Sequence, residues 1–425
     1  MTPLSGPDST LCLLLIALLP LAPAGLALLN CGLGRSRSAA QSLVGALCLA
    51  AVAAVAYFAF GFSLEGVAGS AGHSLRIASV SWNWIGAGPA FFRGLRAPAA
   101  YAATFQIFAV ALVALIPWGS GADRWRLGAA CVSTILLAGI FYPIFAHWVW
   151  AGGWLAQLGA TFHLGAGFVD PGGAATIQVI GGITALVVVW ILGARRGKFT
   201  RGGPPAVIPA HHIAYVLFGC MVALSGWLAL NLLGAVLFAG IGGFALAITE
   251  ANTLLCASGA LLAALLVTRL RFGKPDASLC ANAWIAGLVA SSAVAALVSP
   301  GAALSTGVVA GAVLPLAIEW LELRCGCDDP SGGIAVHGLA GIWGLLAIGF
   351  LGKDASGGQM IAQLVGIATL LGLVLPVVYS LYWLLNRVMP FRTHPEGERI
   401  GMDLHELGSG AYADFVMHSD DFFQR

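Results

Sequence analysis

The chain has 425 residues, of which 59% are hydrophobic and 9% charged, and its formal net charge is +2. Soluble proteins carry roughly 25% charged residues, so this composition excludes a water-facing globular surface. The near-neutral balance gives no nucleic-acid signal.

A membrane-spanning helix needs about 20 mostly apolar residues. Eleven runs meet that need, near 10–30, 41–64, 98–118, 126–150, 173–194, 211–233, 239–268, 280–299, 302–321, 333–351 and 359–386. The expected fold class is therefore an all-α integral membrane protein with eleven spans. The first run ends in Ala22-Pro23-Ala24-Gly25, as small-residue-rich as a signal-peptide cleavage site. It lacks a basic leading region, and Pro23 sits where cleavage would fall, which favours a retained helix. Residues 65–97 carry Trp82, Trp84, Phe91 and Phe92 and read as an interfacial or vestibule-covering loop. Trp148, Trp150 and Trp154 close the fourth run, either as an interfacial belt or as the wall of a cation-attracting vestibule.

Lys and Arg placement sets the orientation. One side holds 16 of the 20, from Arg35 and Arg37 through Arg201 to Arg425; the other holds Arg76, Arg93, Arg96 and Lys353. The expected topology puts the N-terminus outside and the C-terminus in the cytoplasm of a cell (inner) membrane. The nine cysteines lie mostly in apolar runs and read as reduced structural thiols, and the Cys325/Cys327 pair has no ligand set for zinc beside it.

The main organisational fact is a repeat. DPGGAATIQVIGGITAL from Asp170 and DPSGGIAVHGLAGIWGL from Asp329 resemble each other at an offset of 159 residues. The first precedes the fifth run and the second the tenth, so the copies enter the membrane from opposite faces. Five helices followed by five inverted helices is a transporter plan with the pathway near the pseudo-two-fold axis. The transmembrane unit is residues 1–386, with repeat one at about 10–194, repeat two at about 211–351 and an appended eleventh helix at 359–386. Residues 387–425 form a tail long enough to dock on the cytoplasmic face.

Eight residues after each Asp stand Gln178 and His337. At 1.5 Å per residue both fall about 12 Å into the membrane, near its midplane, where they should meet. His337 is the sole ionisable group in its run, and intramembrane polar residues usually face a cavity or a partner. Gln can donate and accept hydrogen bonds but cannot carry a proton, so only one member of the pair titrates. Asp170 and Asp329 suit N-terminal helix caps. Glu250, mid-run in AITEANTLLC, is either a functional acid or a structural partner for polar groups on a neighbouring helix.

The blocks GFSL (61–64), FQ (105–106), YPIFAHWVWAGGWLAQLGA (from Tyr142), GKPD (273–276), NAWIAGLV (from Asn282), CDDPSGGIAVHGLAGIWG (from Cys327) and the tail EGERIGMDLHELGSGAY occur in an order that resembles the ammonium transporter/Rhesus family over nearly the whole chain. The resemblance implies a homotrimer in which each subunit recruits ammonium, deprotonates it and passes ammonia along two mid-pore histidines. It implies no enzymatic activity, cofactor or metal. His337 matches the second histidine, and Gln178 takes the place of the first. Asp170 and Trp150 match the recruitment site. The tail resembles the element that couples subunits and contacts PII-type nitrogen regulators.

Several positions depart from the family pattern. Ala109 stands where a gate phenylalanine is usual, with Phe108 one residue earlier. Leu230 replaces the second gate phenylalanine, Gly234 replaces a vestibule serine, and Glu250 falls where an apolar residue is typical. The changes imply a wider outer mouth and altered proton coupling. The expected function is ammonium/ammonia transport. An ammonium sensor with little conduction, or a channel for another small solute such as carbon dioxide or methylamine, are the alternatives.

Overall fold

The computed structural model describes residues 4–67, 73–77, 79–199 and 203–412. Arg201, Arg425 and the tail beyond residue 412 lie outside the described residues. Among the described residues, eleven helices are long and apolar enough to span: α1 Gly6–Leu33, α2 Ser36–Glu65, α3 Ala99–Ser120, α4 Leu127–Trp150, α5 Ala174–Leu192, α6 Ile213–Ala239, α7 Phe244–Phe272, α8 Ala277–Val294, α9 Pro300–Leu323, α10 Ile334–Leu351 and α11 Gly357–Val388. Every apolar run of the sequence becomes one of them, because an apolar backbone in lipid satisfies its own N–H and C=O groups only as a helix or a closed barrel.

The two halves pack alike. α1 lies along α6, α5 packs on α3 as α10 packs on α8, and α5 meets α10 at the centre. α11 lies outside the repeat against α5. The inverted five-plus-five plan is thus present, with its two pore helices facing one another.

One feature departs from the expected plan. Part of the 65–97 segment is a β-hairpin, β1 His73–Ile77 and β2 Val80–Ile85, paired antiparallel with Arg76 opposite Ser81. Alternating Val80, Trp82 and Trp84 suits a strand with one packed face. The hairpin marks one side of the molecule. On the other side, the tail forms α12 Pro395–Ile400 and a following turn Asp403–Leu407.

The tail is built into the helix ends it covers. Asp403 accepts from the backbone N–H of Gln41 at 2.8 Å, and Glu406 accepts from that of Leu127 at 3.0 Å. Acidic side chains so placed complement the positive ends of α2 and α4. Beneath them Arg195 holds two aspartates: its guanidinium reaches Asp328 at 2.8 and 2.9 Å and Asp123 at 3.0 Å. All three residues are buried. Burial alone would raise the Asp328 carboxyl, but the hydrogen bonds and charge of Arg195, with the charge of Arg124, hold it down at about 2. Its contribution to stability is present above the ordinary carboxylate range and is lost as pH falls toward that value. Arg195→Ala leaves two buried carboxylates without their cation, and should cost about 3–5 kcal/mol, read as a lowered unfolding temperature in detergent.

Candidate solute pathway

Both pore helices begin with a π-helical turn, Ala174–Val179 and Ile334–Leu339. In the first, Gln178 N donates to Gly173 O at 3.0 Å, a five-residue spacing. Such turns widen a helix locally and occur often at functional sites. Gln178 and His337 each sit inside one. They meet as the repeat predicts: His337 Nδ1 lies 2.7 Å from Gln178 Oε1. A Cβ on Gly182 would fall 2.4 Å from Gly338 N, so glycine is what lets the two helices cross this closely.

The hydrogen-bond inventory of the pair is specific. An amide oxygen only accepts, so His337 Nδ1 carries the proton and its Nε2 keeps a lone pair. Gln178 Nε2 is buried and has no protein partner. The pair therefore presents one free N–H donor and one free ring acceptor, both in apolar surroundings.

On the hairpin side of the pair is a cavity of about 540 Å³ lined by Trp150, Phe168, Asp170, Phe238, Lys353 and Gln359, among others. Asp170 caps α5 through one oxygen: Oδ2 accepts from Ala175 N at 3.0 Å, Thr176 N at 2.9 Å and Thr176 Oγ1 at 2.9 Å. Its other oxygen, Oδ1, is buried with no protein partner. Burial pushes the carboxyl up to about 6, against the hydrogen bonds from Thr176 and Ala175 that favour its charge. Asp329, the other copy, accepts from Ile334 N at 2.8 Å at the start of α10. Trp150 is fixed by its indole N–H, which donates to Asp170 O at 2.8 Å.

The remaining expected site residues fare unevenly. Neither Phe108 nor Ala109 lines the cavity, and Leu230 is buried in the helix packing. The widened mouth is corrected by two other rings. Phe238, one turn beyond the point where the sixth apolar run was cut, stacks on Trp150 with centroids 4.4 Å apart and planes 6° from parallel. Phe105 meets both edge-on, at 5.9 Å from Trp150 and 5.3 Å from Phe238. An aromatic cluster is thus rebuilt from different residues. Phe238→Ala should bare a face of Trp150 to cations and lower the half-saturating methylammonium concentration by about 2- to 5-fold, as expected for a contact of about 0.5–1 kcal/mol. An unchanged or higher value would count against a covering role.

Gly234 has a steric reason. A Cβ there would lie 2.1 Å from Pro171 O, in the backbone that leads into α5. Gly234→Ser should therefore displace this segment and lower uptake, with a stability loss of about 1–3 kcal/mol by overpacking, rather than supply a vestibule hydroxyl. Glu250 lies exposed on the surface of α7 in the single chain and does not line the cavity. Asn252 and Thr253, two and three positions on, face inward instead; Asn252 donates to Ala295 O and Val298 O.

Two buried groups went unread in the sequence. Glu65 ends α2 fully buried, accepting from Tyr57 Oη at 2.7 Å and Gln106 Nε2 at 2.5 Å. Gln106 in turn accepts from the Tyr142 hydroxyl. His147 sits beside this node. The available signal was an ionisable side chain at the end of an apolar run for Glu65 and inside one for His147.

A family model for the Ammonium Transporter Family matches residues 10–412. Ammonium transporter Amt2 of Archaeoglobus fulgidus is 32% identical, over 92% of this chain and 85% of that one. The ammonium transporter of Bacillus subtilis is 28% identical, over 92% of this chain and 94% of that one. Among solved structures, a protein described as a sensor Amt protein superposes with a TM-score of 0.84 at 24% identity, covering 93% of this chain and 97% of that one, and shows likeness of fold. Mep2 of Saccharomyces cerevisiae gives 0.77 at 25% identity, over 93% of this chain and 90% of that one. With its inverted repeat, its paired pore helices and these matches along nearly its full length, the chain belongs to the ammonium transporter family.

Proposed function

We propose that this transporter gathers ammonium in the hairpin-side cavity, releases its proton back to the solution on that side, and passes neutral ammonia between Gln178 and His337 toward the tail side, without a proton crossing through the pair. The observation that carries this reading is the 2.7 Å bond from His337 to Gln178 with Gln178 Nε2 left free. Ammonia has one lone pair and three N–H groups. A free N–H and a free ring nitrogen complement both, and glutamine offers no second titratable site. Asp170 Oδ1 and the Trp150 ring supply the attraction for the cation at the entrance. The clustering of basic residues on the tail side supports a cytoplasmic tail and an outward-facing hairpin in a cell membrane. The same reading takes the chain as a homotrimer whose tail, docked through Asp403 and Glu406, is the place for a PII-type partner.

Uptake of ammonium or methylammonium in a transport-deficient cell tests the proposal. Growth or uptake is expected at millimolar or lower supply. With the protein present in the membrane, absence of rescue at every concentration would overturn it. Saturable binding in that same case would favour the sensor reading.

A further inference from the structure

The hairpin is tied to the spans through His147, and the hydrogen bonds of that tie do not balance for a neutral ring. His147 is 2% exposed. Its Nδ1 lies 2.8 Å from the carbonyl oxygen of Glu65, and its Nε2 lies 3.0 Å from Asn83 Oδ1 on β2. Asn83 Nδ2 is committed elsewhere, donating to the carbonyl of Gly152 at 3.2 Å. Both carbonyls can only accept, and a neutral imidazole has one N–H. If that N–H serves Glu65, the Nε2 lone pair faces the Asn83 oxygen. Turning the Asn83 amide over moves the mismatch to Gly152, where two oxygens would then face each other. Putting the proton on Nε2 instead leaves Nδ1 against the Glu65 carbonyl. Only the imidazolium, with two N–H groups, makes all three contacts at once.

The titratable groups around this node are few. α2 contributes Glu65, whose carboxylate is bound by Tyr57 and Gln106, and Tyr57 itself. α4 contributes Tyr142, through Gln106. From the hairpin come Trp82 and Trp84, which do not titrate.

The tie has leverage on the cavity. Asn83 O accepts from Trp154 N at 3.0 Å, and Trp84 O accepts from Trp148 Nε1 at 2.8 Å. Trp82 and Trp84 pack on Trp148, Trp154 and Phe162. These rings back the 151–169 segment, whose Ala156, Ala166 and Phe168 line the cavity. The indole N–H groups of Trp84 and Trp154 are buried without a partner, while just beyond β2 the backbone N–H groups of Gly86 and Gly88 donate to Leu64 O and Ser63 O on α2. We infer that His147 is a positioning residue that clasps the hairpin against the entrance wall in its protonated form and releases one of the three contacts when it loses the proton.

Hydrogen exchange of the full-length protein in detergent tests this, with protection of the 80–85 amides corrected for the intrinsic pH dependence of exchange. In the wild type, protection should fall about tenfold as pH rises from about 5 to about 8, the worth of one hydrogen bond to a charged group over the range in which histidine titrates. His147→Gln should flatten that slope. Should this variant not fold, Asn83→Leu, which keeps His147 and removes only its Nε2 acceptor, should flatten it as well. Asp170→Asn should leave the slope in place, which separates the hairpin from the entrance acid. A flat wild-type profile, or an undiminished slope in His147→Gln or Asn83→Leu, overturns the inference.

Discussion

Gln178→His should convert the ammonia pathway proposed above into one that carries a larger proton-coupled current. In the wild type, the proton on His337 Nδ1 is held by an oxygen that cannot pass one on. A second imidazole at position 178 restores an acceptor that also releases, so a proton can cross the pair while the solute moves. The change is isolated: Gln178 is fully buried, its helix is fixed by the Asp170 cap, and the neighbouring Gly182–Gly338 crossing is untouched. Ammonium-evoked current in proteoliposomes should rise by about tenfold or more relative to ammonia flux, equal to about 1.4 kcal/mol off the proton-transfer barrier. Flux of neutral ammonia need not rise with it. Equal current in the two proteins, with both conducting, would mean that the Gln178–His337 pair does not limit proton movement.

That this pair, with Asp170 and Trp150, is legible in the sequence, while the aromatic cluster at the entrance is not, has a physical basis. Span position follows from an apolar run, and sidedness from basic residues, because lipid imposes both on nearly every residue it touches. The internal repeat then fixes which two residues face each other. The π turns that aim Gln178 and His337 leave no mark in apolar periodicity. Phe238 lies beyond the apolar run that ends near 233, because α6 continues to Ala239. For Glu250, an acid mid-run marks depth alone, whereas azimuth decides which surface it faces. Two residues before Asn252 on a helix of 3.6 residues per turn, it lies about 200° round from the buried face. Glu65 and His147 were passed over for the opposite reason: each sits within or beside a block already explained by likeness. The aromatic cluster at the entrance depends on contacts between α3, α4 and α6 that no single run encodes.

Asp170→Asn separates the helix cap that this carboxylate makes from the recruitment role proposed for it. The amide oxygen can take the place of Oδ2 and keep the bonds from Ala175 N, Thr176 N and Thr176 Oγ1, so the cap of α5 survives. The amide nitrogen then occupies the place of Oδ1, the oxygen without a protein partner. A negative acceptor at the entrance becomes a neutral donor, which repels the N–H groups of a cation. Ammonium uptake at low supply should fall about 10- to 100-fold, the cost of losing one charge-assisted contact of about 1.5–3 kcal/mol. Thermal stability should stay near that of the wild type. Asp170→Ala should lose uptake and stability together, the latter by about 1 kcal/mol for the missing cap. The wild type should imitate the asparagine variant in acid. Burial raises the Asp170 carboxyl to about 6, so the charge is present above that pH and is progressively lost below it. Uptake should therefore decline as external pH falls through about 6 in the wild type, while Asp170→Asn should be low at every pH and without that inflection. Asparagine-variant uptake that matches the wild type at neutral pH would remove Asp170 from recruitment and leave it a helix cap alone.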